Sequence, residues 1–401
     1  MKIAVIGGGP SGFAAAIKAA AKNEDITIIE KNSKVLKKLA ITGNGKCNYF
    51  NEVQDISKYH SSSKNLEVLI NTTNIDKVKD FWDNLGIIPY IKNGYYYPFT
   101  NNSNSIITSL IAKAKNLGIE IIEDTIVEDI IKIDDKFLIK GNNYNEYFDK
   151  VIIATGSLAY PKCGGTTIGY DIAKKMDHKI IKVNPSLVQL ISNMGIEKYW
   201  NGIRCQVKVT HIESDNILKE EYGEIQLTDY GISGICVFNI SRDISIGLSN
   251  NKKEHVIINF IPWYSGLNFQ EYLDKRSEKL KITNIINLCE AFINYKLLNA
   301  ILIKLKINQD TNWQDLSEKQ KKDFCQNLLY FEVPIIATKG FDTAQVCSGG
   351  INLEELDLNT LESKHVPNLY FCGEVLDLDG DCGGYNITIA ILTGIIAGES
   401  C

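Results

Sequence analysis

The sequence predicts an α/β fold built on a parallel sheet, interrupted by a long insertion and completed by the chain's last segment. Three observations carry this. The first thirty residues read strand, glycine loop, helix, strand, which is one βαβ unit. After about Pro185 the pattern changes to alternating strands and then to helices. From Ile335 the α/β character returns.

Taken in order, Lys2–Ile6 is a short apolar run, expected to be a buried strand. Gly7-Gly8-Gly9-Pro10-Ser11-Gly12 follows, then an Ala-rich helix over Phe13–Lys22 and a second strand over Asp25–Glu30. A further loop, Thr42–Asn48, holds two glycines, and Gly94–Pro98 reads as a tyrosine-rich turn. Strands are expected within Ile119–Lys140 and over Asp149–Ala154, where Ala154-Thr155-Gly156 closes one of them. Cys205, Val207 and Val209 alternate with Gln206, Lys208 and Thr210 at the period of a strand. Glu224–Thr228 and His255–Ile261 read as further strands, so Ile191–Trp263 is expected to be mostly β. Leu267–Leu329 turns helical, with Leu297, Leu298, Ile301, Leu302 and Leu305 spaced as a core stripe. The expected plan is a discontinuous domain of residues 1–190 and 335–401, an inserted β domain of 191–264 and an inserted helical domain of 265–334.

A chain of 401 residues has room for two or three domains. Its hydrophobic content of 44% and charged content of 23% are those of an ordinary globular protein. A net charge of −5 argues against a whole-surface grip on nucleic acid, leaving only a local basic patch. The ten cysteines form no CxxC pair and are scattered through apolar runs, as reduced cysteines are. No apolar stretch reaches 18 residues, and glycines interrupt the first run too early for a secretion signal. The expectation is a cytoplasmic protein without a membrane span, its oligomeric state open.

Gly7-x-Gly9-x-x-Gly12 is weak evidence alone, but here a strand precedes it, a helix follows it and an acid closes the next strand. Gly7 permits the tight turn, Gly9 admits a pyrophosphate, and Gly12 lets helix and strand pack closely. The free N–H groups at the helix start, with Pro10 and Ser11, face the phosphates. Glu30, 18 residues past Gly12, is placed to accept from a ribose 2′-hydroxyl. These features fit FAD or NAD alike. The downstream Ala154-Thr155-Gly156 matches the spacing of flavoproteins of the glutathione-reductase superfamily, and no second GxGxxG marks a nicotinamide domain.

The chain as a whole resembles the BaiN/YhiN-type bacterial flavoproteins, a family also labelled aminoacetone-oxidase-like FAD-binding enzymes. The residues that carry the likeness run through Ile41–Asn48, Ala154–Gly156 with Tyr160-Pro161, Gly164, Gly169-Tyr170, His178 and Pro185-Ser186-Leu187. They continue through Gly223-Glu224, Thr228, Tyr230–Gly234, Gly349-Gly350, Gly373–Asp377 and Gly383–Asn386. The resemblance implies a Rossmann-like, glutathione-reductase-like FAD-binding domain built from both chain ends, with inserted β-barrel-like and small helical domains. It implies non-covalent FAD and redox chemistry; for a reductase the flavin must first be reduced, and diffusing NADH or NADPH is one reductant that would do so. Activities suggested in the family are reduction of conjugated C=C bonds in steroid-like acids, amine oxidation, and reduction of a ribosomal RNA uridine. The partner is therefore a small molecule or, second, ribosomal RNA.

By the same resemblance, cofactor contacts are expected from Gly7, Gly9, Pro10, Ser11, Gly12, Glu30, Lys31, Lys38, Gly43, Gly45, Cys47 and Asn48. Others are expected from Val127, Ala154, Thr155, Gly156, Gly373, Glu374, Gly383, Gly384, Tyr385 and Asn386. The sequence departs from the family pattern at Leu36 (commonly glycine), Tyr95 (commonly arginine), Thr167-Ile168, Ile235-Cys236, Cys347 and Cys382.

For catalysis, Tyr160, Tyr385 and Cys382 are the candidate acids, because their motifs flank the expected cofactor. Cys347, Cys372 and Cys382 are read either as small buried side chains or as a flavin-linked thiol set. His178 and His365 are expected to pack rather than to titrate in a reaction. Asp377, Asp379 and Asp381 alternate as calcium ligands do, but position six from Asp377 is Cys382 and position twelve is Thr388, so the EF-hand pattern fails and no metal is expected. A flavin-carrying protein without turnover remains an alternative to the enzyme.

Overall fold

A computed structural model of the chain describes residues 1–22 and 24–401. The chain forms two compact units, Met1–Pro185 with Gln345–Cys401, and Ser186–Ala344.

The first unit is organised by a five-stranded sheet. In spatial order its strands are Leu369–Phe371, Lys150–Ile153, Lys2–Ile6, Asp25–Ile29 and Glu120–Ile122, and every pairing is parallel. A parallel sheet is covered on both faces, so its strands read as continuous apolar runs. Ile3, Ala4, Val5, Ile28, Val151, Ile152 and Ile153 are accordingly fully buried. Lys2–Ile6 sits at the centre because the chain leaves it towards Asp25–Ile29 on one side and returns to Lys150–Ile153 on the other. That reversal makes a crevice at the carboxyl ends of the strands, the place where such sheets bind ligands.

The helix Pro10–Ala20 packs along the last helix, Tyr385–Ser400. The latter is apolar nearly all round, as a helix with no solvent face must be. Small residues set the approach. A Cβ on Gly394 would lie 2.4 Å from the Ser11 carbonyl oxygen, and one on Gly398 would lie 2.3 Å from that of Ala15. The chain end is thus core and not a frayed tail.

The tyrosine-rich segment differs from the turn that its sequence suggests. Only Asn93 (φ 53°) and Gly94 (φ 79°) turn, and Tyr95–Pro98 is a strand paired with Pro89–Lys92 and with Phe50–Asn51. An Asn-Gly pair with both φ positive makes the tight hairpin loop that matches strand twist, and three successive tyrosines favour extended backbone.

The second unit holds a seven-stranded antiparallel sheet around the long hairpin Arg204–Glu213 and Asn216–Thr228. The region expected to be mostly β also contains the helix Ile235–Ser249, whose Cys236, Val237, Ile240 and Ile244 are buried at helical spacing. Helices follow at Phe269–Leu280, Ile285–Cys289, Tyr295–Leu305 and Glu318–Leu329. Leu297, Leu298, Ile301 and Leu302 belong to one apolar cluster together with Val207, Val209 and Ile225 of the sheet, and Leu305 packs against it half-buried. Inside this unit His211 and Glu254 pair at 2.6 Å, both side chains fully buried.

Candidate cofactor and active site

Four loops leave the carboxyl ends of the parallel strands, and the site is built from them. The first, Gly7–Gly12, behaves as its spacing predicts. Gly7 holds φ +112°, and a Cβ there would lie 2.4 Å from the Ala154 carbonyl oxygen, so the first and the 154–157 loops touch. A Cβ on Gly12 would lie 2.0 Å from the Gly7 oxygen, while one on Gly9 would meet nothing within 4 Å. Gly9 caps the helix with no side-chain hydrogen bond and no acid in the first turn, so the helix N-terminus keeps its positive end open for an anion.

Glu30 closes the second strand and is 7% exposed. Its Oε2 accepts from Gly8 N at 2.8 Å, and its Oε1 accepts from Asn32 N at 2.8 Å and Asn32 Nδ2 at 2.6 Å. A carboxylate offers about four acceptor positions, so Glu30 is fixed and still able to accept from a ribose hydroxyl. Lys31 and Asn32 carry the Tyr160 loop. Lys31 Nζ donates to the Gly165 oxygen at 3.4 Å, and a Cβ on Gly164 would meet Asn32 Nδ2 at 2.6 Å. Burial lowers the Lys31 pKa. Tyr160, in left-handed conformation (φ 57°), therefore stands at the Glu30 end of the site. Val127 is buried at the start of the strand Val127–Ile133.

The 373–377 loop meets the segment 36–48. Lys38 Nζ lies 2.9 Å and 2.6 Å from the two Glu374 oxygens, and Ser157 Oγ donates to Glu374 Oε2 at 3.1 Å. Gly373 (φ +80°) sits against Ser11, and its N–H donates to Thr393 Oγ1 at 2.9 Å. Thr155 packs where Gly169 leaves no room for a Cβ. Leu36, at the position commonly glycine in the resembled family, takes φ 58°, the conformation glycine adopts without strain. Gly43 and Asn44 are likewise left-handed and kink the helical segment Lys37–Gly45, Gly45 ends it, and Cys47 is wholly buried. The Asn48 amide, in its satisfied orientation, donates to the Tyr96 and Phe50 carbonyls.

At the start of the last helix, Gly383 and Gly384 permit close chain packing. A Cβ on Gly384 would lie 2.7 Å from the Phe50 carbonyl, and one on Gly383 would lie 2.7 Å from Tyr95 Cε1 and 3.5 Å from Tyr385 Cε2. Asn51 Nδ2 donates to the Gly383 oxygen at 2.9 Å. Asn386 spends its amide on the loop itself, accepting from Gly380 N at 2.9 Å and donating to Gly380 O at 2.8 Å. The helix has no side-chain cap and no acid in its first turn, so its N-terminus offers a second positive end. Cys382 and Tyr385 thus gather with Tyr95 and Tyr97, apart from the Glu30 end that Tyr160 occupies. Tyr95 stood out in the sequence only as a departure from the family pattern, and Tyr97, Ser157, Asn51 and Thr393 were not legible as residues of these loops. The run of tyrosines before Pro98 was the one signal, visible once read as a strand with alternate faces.

Two of the alternating acids, Asp377 and Asp381, are held by neighbouring side chains and backbone. Asp377 accepts from Ser62 N at 2.9 Å, and Asp381 bonds His60 Nε2 at 2.9 Å and Lys58 Nζ at 3.2 Å. His178 is buried between Ser363 Oγ (2.9 Å) and the rings of His365 and Phe371, and burial lowers its pKa. Burial pushes the Cys382 thiol up to about 11 and those of Cys47, Cys347 and Cys372 up to about 12.

A parallel sheet with an open glycine loop at its central strand, a buried acid after the next strand and two uncapped helix N-termini facing the crevice define a Rossmann-type FAD-binding domain. The residues present fit the dinucleotide, since the one glycine expected at the pyrophosphate, Gly9, is the one with open space. The chain belongs to the family described as HI0933-like protein Rossmann domain, whose model matches residues 1–400. It is similar to the 3-dehydro-bile acid delta(4,6)-reductase of Clostridium scindens, 33% identical over 403 residues, which covers 100% of this chain and 98% of that one. It is also similar to the ribosomal RNA dihydrouridine synthase of Haemophilus influenzae, 26% identical over 393 residues, covering 95% and 94%. Among solved structures, a flavocytochrome c3 fumarate reductase aligns with TM-score 0.51 at 14% identity, over 100% of this chain and 77% of that one. A 3-ketosteroid-delta4-(5alpha)-dehydrogenase from Rhodococcus jostii aligns with TM-score 0.50 at 12% identity, over 99% and 96%. These two show the shared fold. Among the described residues no helix is long and apolar enough to cross a membrane.

Proposed function

We propose that this protein is an FAD-dependent reductase that saturates an electron-poor C=C bond of a small molecule. The observation that carries the reading is the pair of uncapped helix N-termini, at Gly9 and Gly384, on one parallel-sheet crevice. The full-length relative named a bile-acid reductase supports the choice of a conjugated C=C bond over an amine. Bound flavin supplies hydride transfer. The chain's own residues do the rest. Gly7–Gly12 and the first helix receive the pyrophosphate, Glu30 accepts from the ribose, and Lys38 with Glu374 borders the ribityl portion. The start of the last helix stabilises negative charge on the ring system. Tyr385, Cys382 and Tyr160 are the proton donors that the sequence suggests, this reading fixes none of them as the acid, and NADH or NADPH diffuses in as reductant. Anaerobic mixing tests this. NADH or NADPH should bleach the bound flavin, and a conjugated ketone should restore its colour.

A second reading, reduction of a ribosomal RNA uridine, is favoured by the relative of that name and by the lysines of 275–322. Two of those lysines pair within their own helices. Lys275 pairs with Glu271 at 2.5 Å, and Lys321 pairs with Glu318 at 3.4 Å. RNA binding that falls steeply with added salt would support this reading over the first.

A further inference from the structure

We propose that Tyr95 is the general acid of this site, giving the proton that completes reduction of the acceptor's double bond. The proposal rests on the flavin-reductase reading above and names a residue which that reading leaves open.

Successive side chains of the strand Tyr95–Pro98 point to opposite faces. Tyr96 is turned into the aromatic core, edge-on to Phe50 at 5.3 Å and to Tyr49 at 6.2 Å. Tyr95 and Tyr97 therefore share the other face, and both are half-buried. Each reaches one of the site's glycine loops with the hydroxyl end of its ring. Tyr95 Cε1, the carbon beside the hydroxyl-bearing one, lies 2.7 Å from where a Cβ of Gly383 would be, and Tyr97 Cε1 lies 4.0 Å from that of Gly43. The hairpin thus carries two phenols to the loops at 43–45 and 382–384.

The other groups around Gly383 are poorer proton donors. Tyr385 is 5% exposed and stacks edge-on with Tyr59 at 5.5 Å, and burial pushes its hydroxyl up to about 12. Cys382 is a weak donor whose thiol is also pushed up by burial. The Asp381 carboxylate is held by His60 and Lys58. No guanidinium belongs to this unit, since the chain's three arginines, Arg204, Arg242 and Arg276, all lie in the other one. There they engage Glu224, Asp243 and the Leu288 carbonyl, respectively.

One alkene carbon of the acceptor takes a hydride from reduced flavin. The π electrons move to the other carbon, which takes the proton from Tyr95 Oη. The alkene gains two electrons, the flavin loses two, and the phenolate recovers its proton from water.

The test uses the full-length holoprotein, with 4-androstene-3,17-dione and cyclohex-2-enone as probes. Tyr95→Phe is expected to keep its flavin, its reduction by nicotinamide and the change in flavin absorbance when 4-androstene-3,17-dione binds. Reoxidation by the probes should slow about a hundred-fold, and the alkaline limb of the pH–rate profile should disappear. Tyr90→Phe, on the exposed neighbouring strand, should match wild type. Should Tyr95→Phe lose its flavin, Tyr95→His keeps a proton donor at the position and should move the alkaline limb towards neutral pH. Wild-type reoxidation in Tyr95→Phe, an unmoved limb in Tyr95→His, or loss of the limb in Tyr385→Phe instead would overturn the proposal. A wild-type protein whose reduced flavin neither probe reoxidises would overturn the reductase reading itself, and is told apart because the unmutated protein fails.

Discussion

Lys38 Nζ lies 2.9 Å and 2.6 Å from the two carboxylate oxygens of Glu374, joining the second glycine segment to the loop after the edge strand across 336 residues of chain. The pair is partly exposed, at 29% and 19% of the two side chains, so its energetic worth is modest, about 1 kcal/mol. Its larger effect is to tie the segment 36–48 to the 373–377 loop.

Glu374→Gln keeps the shape and removes the charge. The expected result is a loss of about 1 kcal/mol in unfolding free energy together with weaker retention of FAD on dilution or gel filtration. Urea titration of the flavin-free protein separates the two effects, because only the first is present there.

Gly9 and Gly12 should answer differently to the same substitution. Gly9→Ala meets open space and a backbone φ of −86°, which any residue adopts. It should fold with nearly wild-type stability and lose FAD affinity by tenfold or more, roughly the effect of displacing one good phosphate contact. Gly12→Ala drives a methyl group into the Gly7 carbonyl at 2.0 Å and should destabilise the apoprotein itself by about 3 kcal/mol. Equal apoprotein melting temperatures for the two variants would contradict this division of roles.

The cysteines near the site should be chemically quiet. With the Cys382 thiol pushed up to about 11, thiolate is scarce at neutral pH. Cys382→Ala should retain its flavin and its rate of reduction within a few-fold, and alkylation of wild type at pH 7.5 should spare Cys382. Rapid labelling of Cys382 together with lost turnover in the variant would restore the thiol reading.

In the second unit, burial first, then Glu213, raises the Glu254 carboxyl from 4.5 to about 7, while burial lowers the pKa of His211. Between these two values for Glu254 the folded chain keeps a proton that the unfolded chain has released, so this contribution is present below pH 4.5 and lost as pH rises through 7. His211 works in the opposite sense, contributing above its ordinary pKa and losing that contribution as pH falls. Glu254→Gln removes the first and leaves His211 beside a neutral partner. Its unfolding free energy, compared with wild type, should shift in its favour by on the order of 1 kcal/mol between pH 5 and pH 8.

The sequence made the glycine turn and its flanking strands and helix legible, because there the physics is local. Gly7, Gly9, Gly12 and Glu30 lie within one βαβ unit, and their spacing is dictated by one turn and one strand. The Leu297–Leu302 stripe was legible for the same reason. What lay hidden is non-local. Nothing near Gly384 announces that its neighbour is the Phe50 carbonyl, or that Asn386 spends its amide on Gly380. The tyrosine strand was missed because three aromatics before a proline read equally as a turn, and only the Asn93-Gly94 hairpin settles them as a strand. The helix Ile235–Ser249 was missed because its buried positions follow directly on a glycine-rich strand, which masks the change of period.

The most direct measurement is anaerobic spectroscopy of the FAD-reconstituted protein. The account predicts stoichiometric non-covalent FAD, bleaching by NADH or NADPH, and recovery of the oxidised spectrum on adding 4-androstene-3,17-dione or another conjugated ketone. A protein that takes up no FAD, or whose reduced flavin stays bleached with every conjugated ketone tried, would contradict it.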